Sequence, residues 1–301
     1  MSLTALFVLC RFAHFASLMQ IFGLSVFCSL LAPAGFSAML LRKNQTLMMW
    51  SGAVAAVTSV GMLSIQAMLM GNGWSDGLNL NVWLLVLTTT FGEVWRWHLL
   101  LTAALMLLTA ALMLVLLMDW LSVRNLLVFL CSLGLLLSQA LIGHAAMHDG
   151  MLGLVHRLNH MVHLLSAAYW FGCLLPLLAC MYYTRKPELR PFAIATLIRF
   201  STWGHAAVAL VILTGIVNTA IVLQRWPTEL TSLYQCLLVI KILLVGIMAA
   251  VAVYNRYRLV PLMGKDSGHT ERRFVLMTWI EWGLALLVLL LVSLFATLAP
   301  R

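Results

Sequence analysis

Histidine side chains are concentrated in one short part of the sequence, between residues 144 and 163. His144 and His148 lie in a polar segment, and His156, His160 and His163 follow it within an apolar run. At about 100° per residue in an α-helix, the last three fall within an arc of roughly 60° on one helix face. Neutral imidazole is a common ligand of copper, zinc and haem iron. The spacing therefore predicts a stripe of metal-handling side chains along one helix.

Thioether side chains flank the same segment. Met147 lies between the first two histidines, and Met151 follows them. Most of the 18 methionines in so apolar a chain are expected to be packing residues, and position alone distinguishes these two. A thioether selects Cu(I). A methionine at the outer end of the segment, with imidazoles further along it, would therefore let copper exchange between soft and borderline ligands. The candidate metal ligands are His14, His144, Met147, His148, His156, His160, His163 and His205.

The composition indicates that these side chains lie in a membrane protein. The chain has 301 residues, of which 63% are hydrophobic and 9% charged, and its mean hydropathy is +1.02. A soluble domain is roughly 45–50% apolar and about 25% charged. The net charge of +9 comes from Lys and Arg in short loops between apolar runs, so membrane lipid is the expected partner and nucleic acid is not.

Eight apolar segments, each long enough to cross the hydrocarbon core as a helix, predict an all-α bundle of eight transmembrane helices in one domain covering 1–301. Eleven Lys and Arg residues fall in the odd-numbered loops and three in the even-numbered ones. Since positive loops stay inside, both termini of this multi-pass protein are expected to face out, which in a bacterial inner membrane is the periplasmic side. The segments are approximately 3–31, 46–70, 96–118, 124–143, 153–183, 193–224, 233–256 and 273–298.

This orientation puts eight of the nine histidines on the periplasmic side or no deeper than mid-membrane. A polar stripe within the bilayer must face the bundle interior or a water-filled cavity, because lipid cannot solvate it. We therefore expect the three histidines of the fifth span to point inward. His14 and His205 would line a deeper part of the same route, whereas His98 is expected to be an interhelical hydrogen-bonding residue.

Four charged residues fall inside the predicted spans, where each is costly: Arg11, Arg157, Lys241 and Glu281. One interpretation gives them a function beside the metal route. The other is structural pairing, for example of Glu281 with Lys241 or Arg11. The sequence leaves both open.

The sequence lacks the motifs that are typical of several other functions. The six cysteines form no C-x-x-C pair, and no G-x-x-x-x-G-K-[ST] phosphate-binding motif occurs. No nucleophile–base motif or paired carboxylates stand in a recognisable setting, so the chain is not expected to be an enzyme. Any transport would be passive or driven by an ion gradient.

The region of about 193–298 resembles the conserved domain of the CopD/PcoD copper-resistance membrane proteins. One departure is Gln235, where the family often has Gly after the Tyr. The matching features are Thr214-Gly215-Ile216-Val217-Asn218, Tyr234, Leu237-Leu238 with Lys241, and Asn255-Arg256, together with the upstream Phe91-Gly92, Trp95-Arg96, and Arg11 with His14.

The resemblance implies an inner-membrane protein that acts with a small periplasmic copper-binding protein of the CopC type and moves copper across the membrane. The identification of copper as the metal thus rests on the resemblance, whereas the prediction of a histidine-lined entrance rests on the spacing. Two alternatives stay open: an electron carrier with b-type haem held by paired histidines, and a membrane partner that docks copper without transporting it.

Overall fold

The computed structural model describes residues 2–114, 121–143, 147–224, 227, 232–262, 268–295 and 297–298. Within these ranges the chain is helical and contains no strand. The helices are α1 (Leu3–Val26), α2 (Ala34–Lys43), α3 (Gln45–Met70), α4 (Leu80–Leu87), α5 (Thr90–Leu114), α6 (Leu121–Gln139), α7 (Gly150–Tyr183), α8 (Arg190–Leu223), α9 (Leu233–Tyr254), α10 (Val260–Leu262) and α11 (His269–Phe295).

Within the described residues, six helical segments are long and apolar enough to cross a membrane: Leu3–Leu31, Gln45–Met70, Gly150–Tyr183, Arg190–Leu223, Leu233–Leu262 and His269–Phe295. The prediction of an all-helical multi-pass protein is therefore confirmed. The predicted third and fourth spans fall on α5 and α6. Their connection at 115–120 lies outside the described residues, and α6 has a shorter apolar stretch at Arg124–Gln139. The count of eight spans and the periplasmic termini stay predictions.

The long helices pack as two groups that meet at α1 and α7. In the first group, α1 contacts α3 and α6, and α5 lies against both α3 and α6. In the second group, α8 packs on α7 and α9 packs on α11. Contacts of α1 with both α7 and α11 join the groups. The second group thus leaves a space between its two helix pairs.

The contact between α1 and α7 depends on two glycines. A methyl group on Gly23 would overlap the backbone of Gly172, and one on Gly172 would overlap the Met19 carbonyl and lie 2.8 Å from the Gly23 Cα. Small residues let membrane helices approach this closely. The approach brings Gln20 Nε2 to 2.9 Å from the Gly172 carbonyl, to which it donates a hydrogen bond.

We expect Gly172→Ala to destabilise the fold by about 1–3 kcal/mol, because the added methyl must push two backbones apart. Gly283→Ala is the matched control: Gly283 is also helical, and a methyl group there would meet nothing within 4 Å. That variant should be neutral or slightly stabilising. Thermal unfolding in detergent measures both, and equal stability of the two variants would contradict the close packing described here.

Candidate metal-handling site

The described end of the predicted metal-binding loop, from Met147 to Asp149, folds back onto the start of α7. Gly143 and Gly150 have φ of 69° and 64°, values in the left-handed region that glycine adopts without strain. A methyl group on Gly153 would overlap the His148 carbonyl, and Arg157 Nη2 donates a hydrogen bond to the same carbonyl at 3.3 Å. Arg157 therefore fixes the loop. The predicted ligand His144 lies outside the described residues.

This loop conformation brings two of the predicted ligands together at the mouth of the bundle. The rings of His148 and His156 have centroids 5.7 Å apart, edge to face. Met147 and Met151 are 53% and 74% exposed, while His156 is 2% exposed. Potential ligands therefore run from exposed thioethers to a buried imidazole between residues 147 and 156.

Deeper along α7, the polar stripe faces α8, as predicted for side chains that lipid cannot solvate. His163 Nδ1 lies 2.9 Å from Thr214 Oγ1. Asn159 Nδ2 donates to the Thr214 carbonyl and to Asn218 Oδ1, both at 2.9 Å. Asn218 Nδ2 is also 3.4 Å from Nδ1 of His160. The inward orientation of His160 and His163 is thus observed.

His160 and His163 line a cavity of about 800 Å³ between α7, α8, α9 and α11, with α1 contributing to its wall. We call it the outer cavity because the predicted orientation puts it nearer the periplasm. Their ring centroids are 6.2 Å apart and nearly parallel. Lys241 lines the same cavity, and its ammonium lies 5.7 Å from the centroid of the Phe295 ring. The cavity therefore combines imidazoles with one cation in an otherwise largely apolar space.

A second, inner cavity of about 830 Å³ lies between the same four helices toward their opposite ends. It is lined by His205, Arg185 and Arg256 among others, and Trp170 and Ile212 line both cavities. His205 Nδ1 donates to the Ser201 carbonyl at 2.7 Å, and Nε2 is 3.0 Å from the Tyr257 hydroxyl. His205 therefore lines the second cavity as an exposed side chain, and it is separated from the α7 histidines.

His14 does not join the α7 histidines. It contacts His98 instead, with 2.9 Å between the two Nε2 atoms, in the first helix group. His98 also contacts Ser138 and so makes interhelical contacts, as expected of it. Across the described part of the chain, no three His, Cys, Asp or Glu side chains gather into a metal site. The predicted ligands are therefore distributed in pairs and single residues.

The buried charged residues are not paired with one another. Glu281 accepts a hydrogen bond from Trp170 Nε1 at 2.5 Å and another from the Asn255 side chain. Lys241 lies against Phe295, and the Arg11 guanidinium lies 5.4 Å from the centroid of the Phe15 ring. Among the residues that the structure describes, the ion pair observed is Arg185 with Glu271 at 2.9 Å. The suggested pairing of Glu281 with Lys241 or Arg11 is therefore not made.

Three polar partners of the site were missed by sequence reasoning: Thr214, Asn218 and Asn255. Thr214 and Asn218 are separated by four residues in an apolar helix, so they share one face. That spacing matches the polar stripe of α7 and was the available signal. Nothing comparable in the sequence links Asn255 to Glu281.

We expect Trp170→Phe to destabilise the fold by about 1–3 kcal/mol, because the buried Glu281 carboxyl loses one of its two donors. Trp282→Phe is the matched control on α11, because the buried Trp282 Nε1 has no hydrogen-bond partner within the described structure. Thermal unfolding of both variants in detergent tests this. A control as destabilised as Trp170→Phe would show that ring size, not the hydrogen bond, is responsible.

Comparison with known proteins finds two family models that match this chain. The family model for the copper resistance protein D-like N-terminal domain matches residues 1–154, and the model for copper resistance protein D matches residues 194–295. No solved structure matches the chain.

Three curated relatives are similar to this chain. Inner membrane protein YebZ of Escherichia coli K12 is 38% identical over 96% of this chain and 97% of its own length. Copper resistance protein D of Pseudomonas syringae pv. tomato is 28% identical over 97% and 96% respectively. Copper transport protein CutJ of Bacillus subtilis is 27% identical over 55% of this chain and 29% of its own length. The chain is a multi-pass protein of the inner membrane, and it belongs to the copper resistance protein D family.

Proposed function

We propose that this protein transports copper across the inner membrane, taking the metal up at the periplasmic histidine and methionine cluster and passing it into the helix bundle. The carrying observation is the pair of cavities of about 800 and 830 Å³, which lie toward opposite ends of one four-helix group and share Trp170 and Ile212. A protein that only docked copper at its surface would have no use for the inner cavity.

The charge distribution supports a cytoplasmic opening for the inner cavity and a periplasmic one for the outer cavity. The inner cavity is lined by Arg185, Arg190 and Arg256, which lie in loops and helix ends rich in Lys and Arg. Positive residues are retained in the cytoplasm, so this cavity would open inward. The His148 loop would then face the periplasm.

The ligand chemistry along the path supports copper as the cargo. Thioethers at the mouth suit Cu(I), and imidazoles suit both oxidation states of the metal. Copper would pass from Met147 to His148 and His156, and then to His160 and His163 in the outer cavity. His205 would receive it in the inner cavity, beyond Trp170.

A small periplasmic copper-binding protein of the CopC type is the proposed donor. The most exposed candidate ligands, Met147 and Met151, stand at the mouth where such a donor could reach them. Copper would then pass from the donor protein to the thioethers and onward to the buried imidazole of His156 without release of the free ion.

His160→Ala should abolish copper accumulation in cells without lowering the amount of protein in the membrane, because it removes an imidazole from the outer cavity. The matched control is His269→Ala. His269 is an exposed histidine at the start of α11 that lines neither cavity, and its variant should accumulate copper normally. Unchanged accumulation in His160→Ala would contradict the proposed path.

Purified protein in proteoliposomes should accumulate copper inside the vesicles, and its absorption spectrum should lack a Soret band. Metal binding without flux would instead support the copper-docking function. A Soret band would support the haem-bearing electron carrier. The two measurements on one sample therefore separate all three functions.

A further inference from the structure

A pair of histidines outside both cavities is arranged as a metal ligand set. His14 on α1 and His98 on α5 are 1% and 0% exposed, and their Nε2 atoms are 2.9 Å apart. Neither residue lines the outer or the inner cavity. They lie in the first helix group, among α1, α3, α5 and α6. The copper path proposed above therefore does not account for them.

Each of the two rings has a hydroxyl oxygen beside its Nδ1 atom. His14 Nδ1 is 2.9 Å from Thr58 Oγ1, and that hydroxyl lies 2.6 Å from the Val54 carbonyl, to which it can donate. When it does so, the Thr58 oxygen accepts from the ring. His14 then carries its proton on Nδ1 and has the Nε2 lone pair available for a metal ion.

The second ring follows the same pattern. His98 Nδ1 is 2.8 Å from Ser138 Oγ, and Ser138 donates to the Leu135 carbonyl at 2.8 Å. The amide nitrogen of Gln139 lies 3.4 Å from His14 Nε2 and 3.5 Å from His98 Nδ1. The two Nε2 atoms face each other at hydrogen-bond distance, so one ring can donate its Nε2–H to the other. When both rings carry their protons on Nδ1, two lone pairs converge on one point. Trp95 stacks on His98, with centroids 4.4 Å apart and planes 11° from parallel, and holds the ring in place.

Two facing imidazole nitrogens 2.9 Å apart must share a hydrogen or a metal ion, because two bare lone pairs at that distance repel each other. Metal-binding histidines characteristically donate the other ring N–H to a fixed acceptor, and each ring here has a hydroxyl oxygen at that position. Zinc requires four ligands, and the described residues contain no group of three or more His, Cys, Asp or Glu side chains that could supply them. Cu(I) has a filled d shell and is stable with two ligands in a line. The ligand number thus favours Cu(I) over zinc.

We propose that His14 and His98 bind one Cu(I) ion in linear coordination, at a buried site separate from the transport path. At about 2.0 Å per metal–imidazole bond, the two nitrogens must move from 2.9 Å to about 4 Å apart. This is a displacement of about 1 Å shared between the two rings, whereas a porphyrin would need a slot several ångströms wide between rings that already touch. The inference rests on the proposed function only in that copper reaches this protein.

Burial should make exchange of the copper ion at this site slower than exchange in the cavities. A Cu(I) ion between two fully buried rings can exchange only when the helices open locally, whereas ions in the cavities have an open route. Full-length protein in nanodiscs, loaded anaerobically with Cu(I) and washed with excess bicinchoninate, should therefore retain about one equivalent. X-ray absorption should show that ion with two nitrogen ligands.

Three variants and one control variant test the ligands. His98→Gln and His14→Gln should each lose the retained equivalent, while His269→Gln should keep it. Ser138→Ala preserves both imidazoles and removes the acceptor of the His98 Nδ1–H, so Cu(I) affinity should fall by about 10-fold or more. This third variant keeps the test informative if a histidine variant fails to fold.

The outcomes separate this site from the transport path. A retained copper ion that survives in folded His98→Gln, or that shows sulfur ligands or more than two nitrogens, would overturn the site. So would wild-type protein that retains no copper, because the pair would then share a proton. Failure of His160→Ala to reduce copper accumulation would overturn the transport proposal and leave the His14–His98 site standing.

Discussion

Hydrocarbon cannot solvate a polar side chain, and this constraint organises the whole molecule. Each polar group inside a span must find a partner on another helix or face a cavity. The pairs that result are the contacts that orient the helices: α7 to α8, α7 to α11, and α1 to α5. The residues involved are His163 with Thr214, Asn159 with Asn218, Trp170 with Glu281, and His14 with His98.

Features that depend on one helix alone could be predicted from the sequence. The apolar runs gave the helices, and the spacing of His156, His160 and His163 gave a stripe whose inward orientation follows from the solvation constraint. Features that depend on which helices meet could not be predicted from the sequence. His14 and His98 are 84 residues apart. For Glu281 the charge suggested a cationic partner, and the structure supplies an indole N–H and an amide instead.

The two family models leave residues 155–193 unmatched, and this interval contains most of α7. That helix carries the histidine stripe, contacts α1 through Gly172 and contributes Trp170 to both cavities. The two matched regions correspond closely to the two helix groups, and α7 is one of the helices through which α1 joins them. The stripe is therefore supported by its own geometry and not by either match.

The arrangement of ligands argues for different roles in the two groups. A site through which an ion passes must bind it weakly enough to release it, and several weak sites in series satisfy that requirement. Along α7 the imidazoles are spread over more than one helical turn, and His163 already has Thr214 as a partner. In the first group, both rings converge on one point and both are anchored from behind. Dispersed ligands suit passage, and convergent anchored ligands suit retention. Under the two proposals, the same residue type would serve opposite purposes because the helices present it differently.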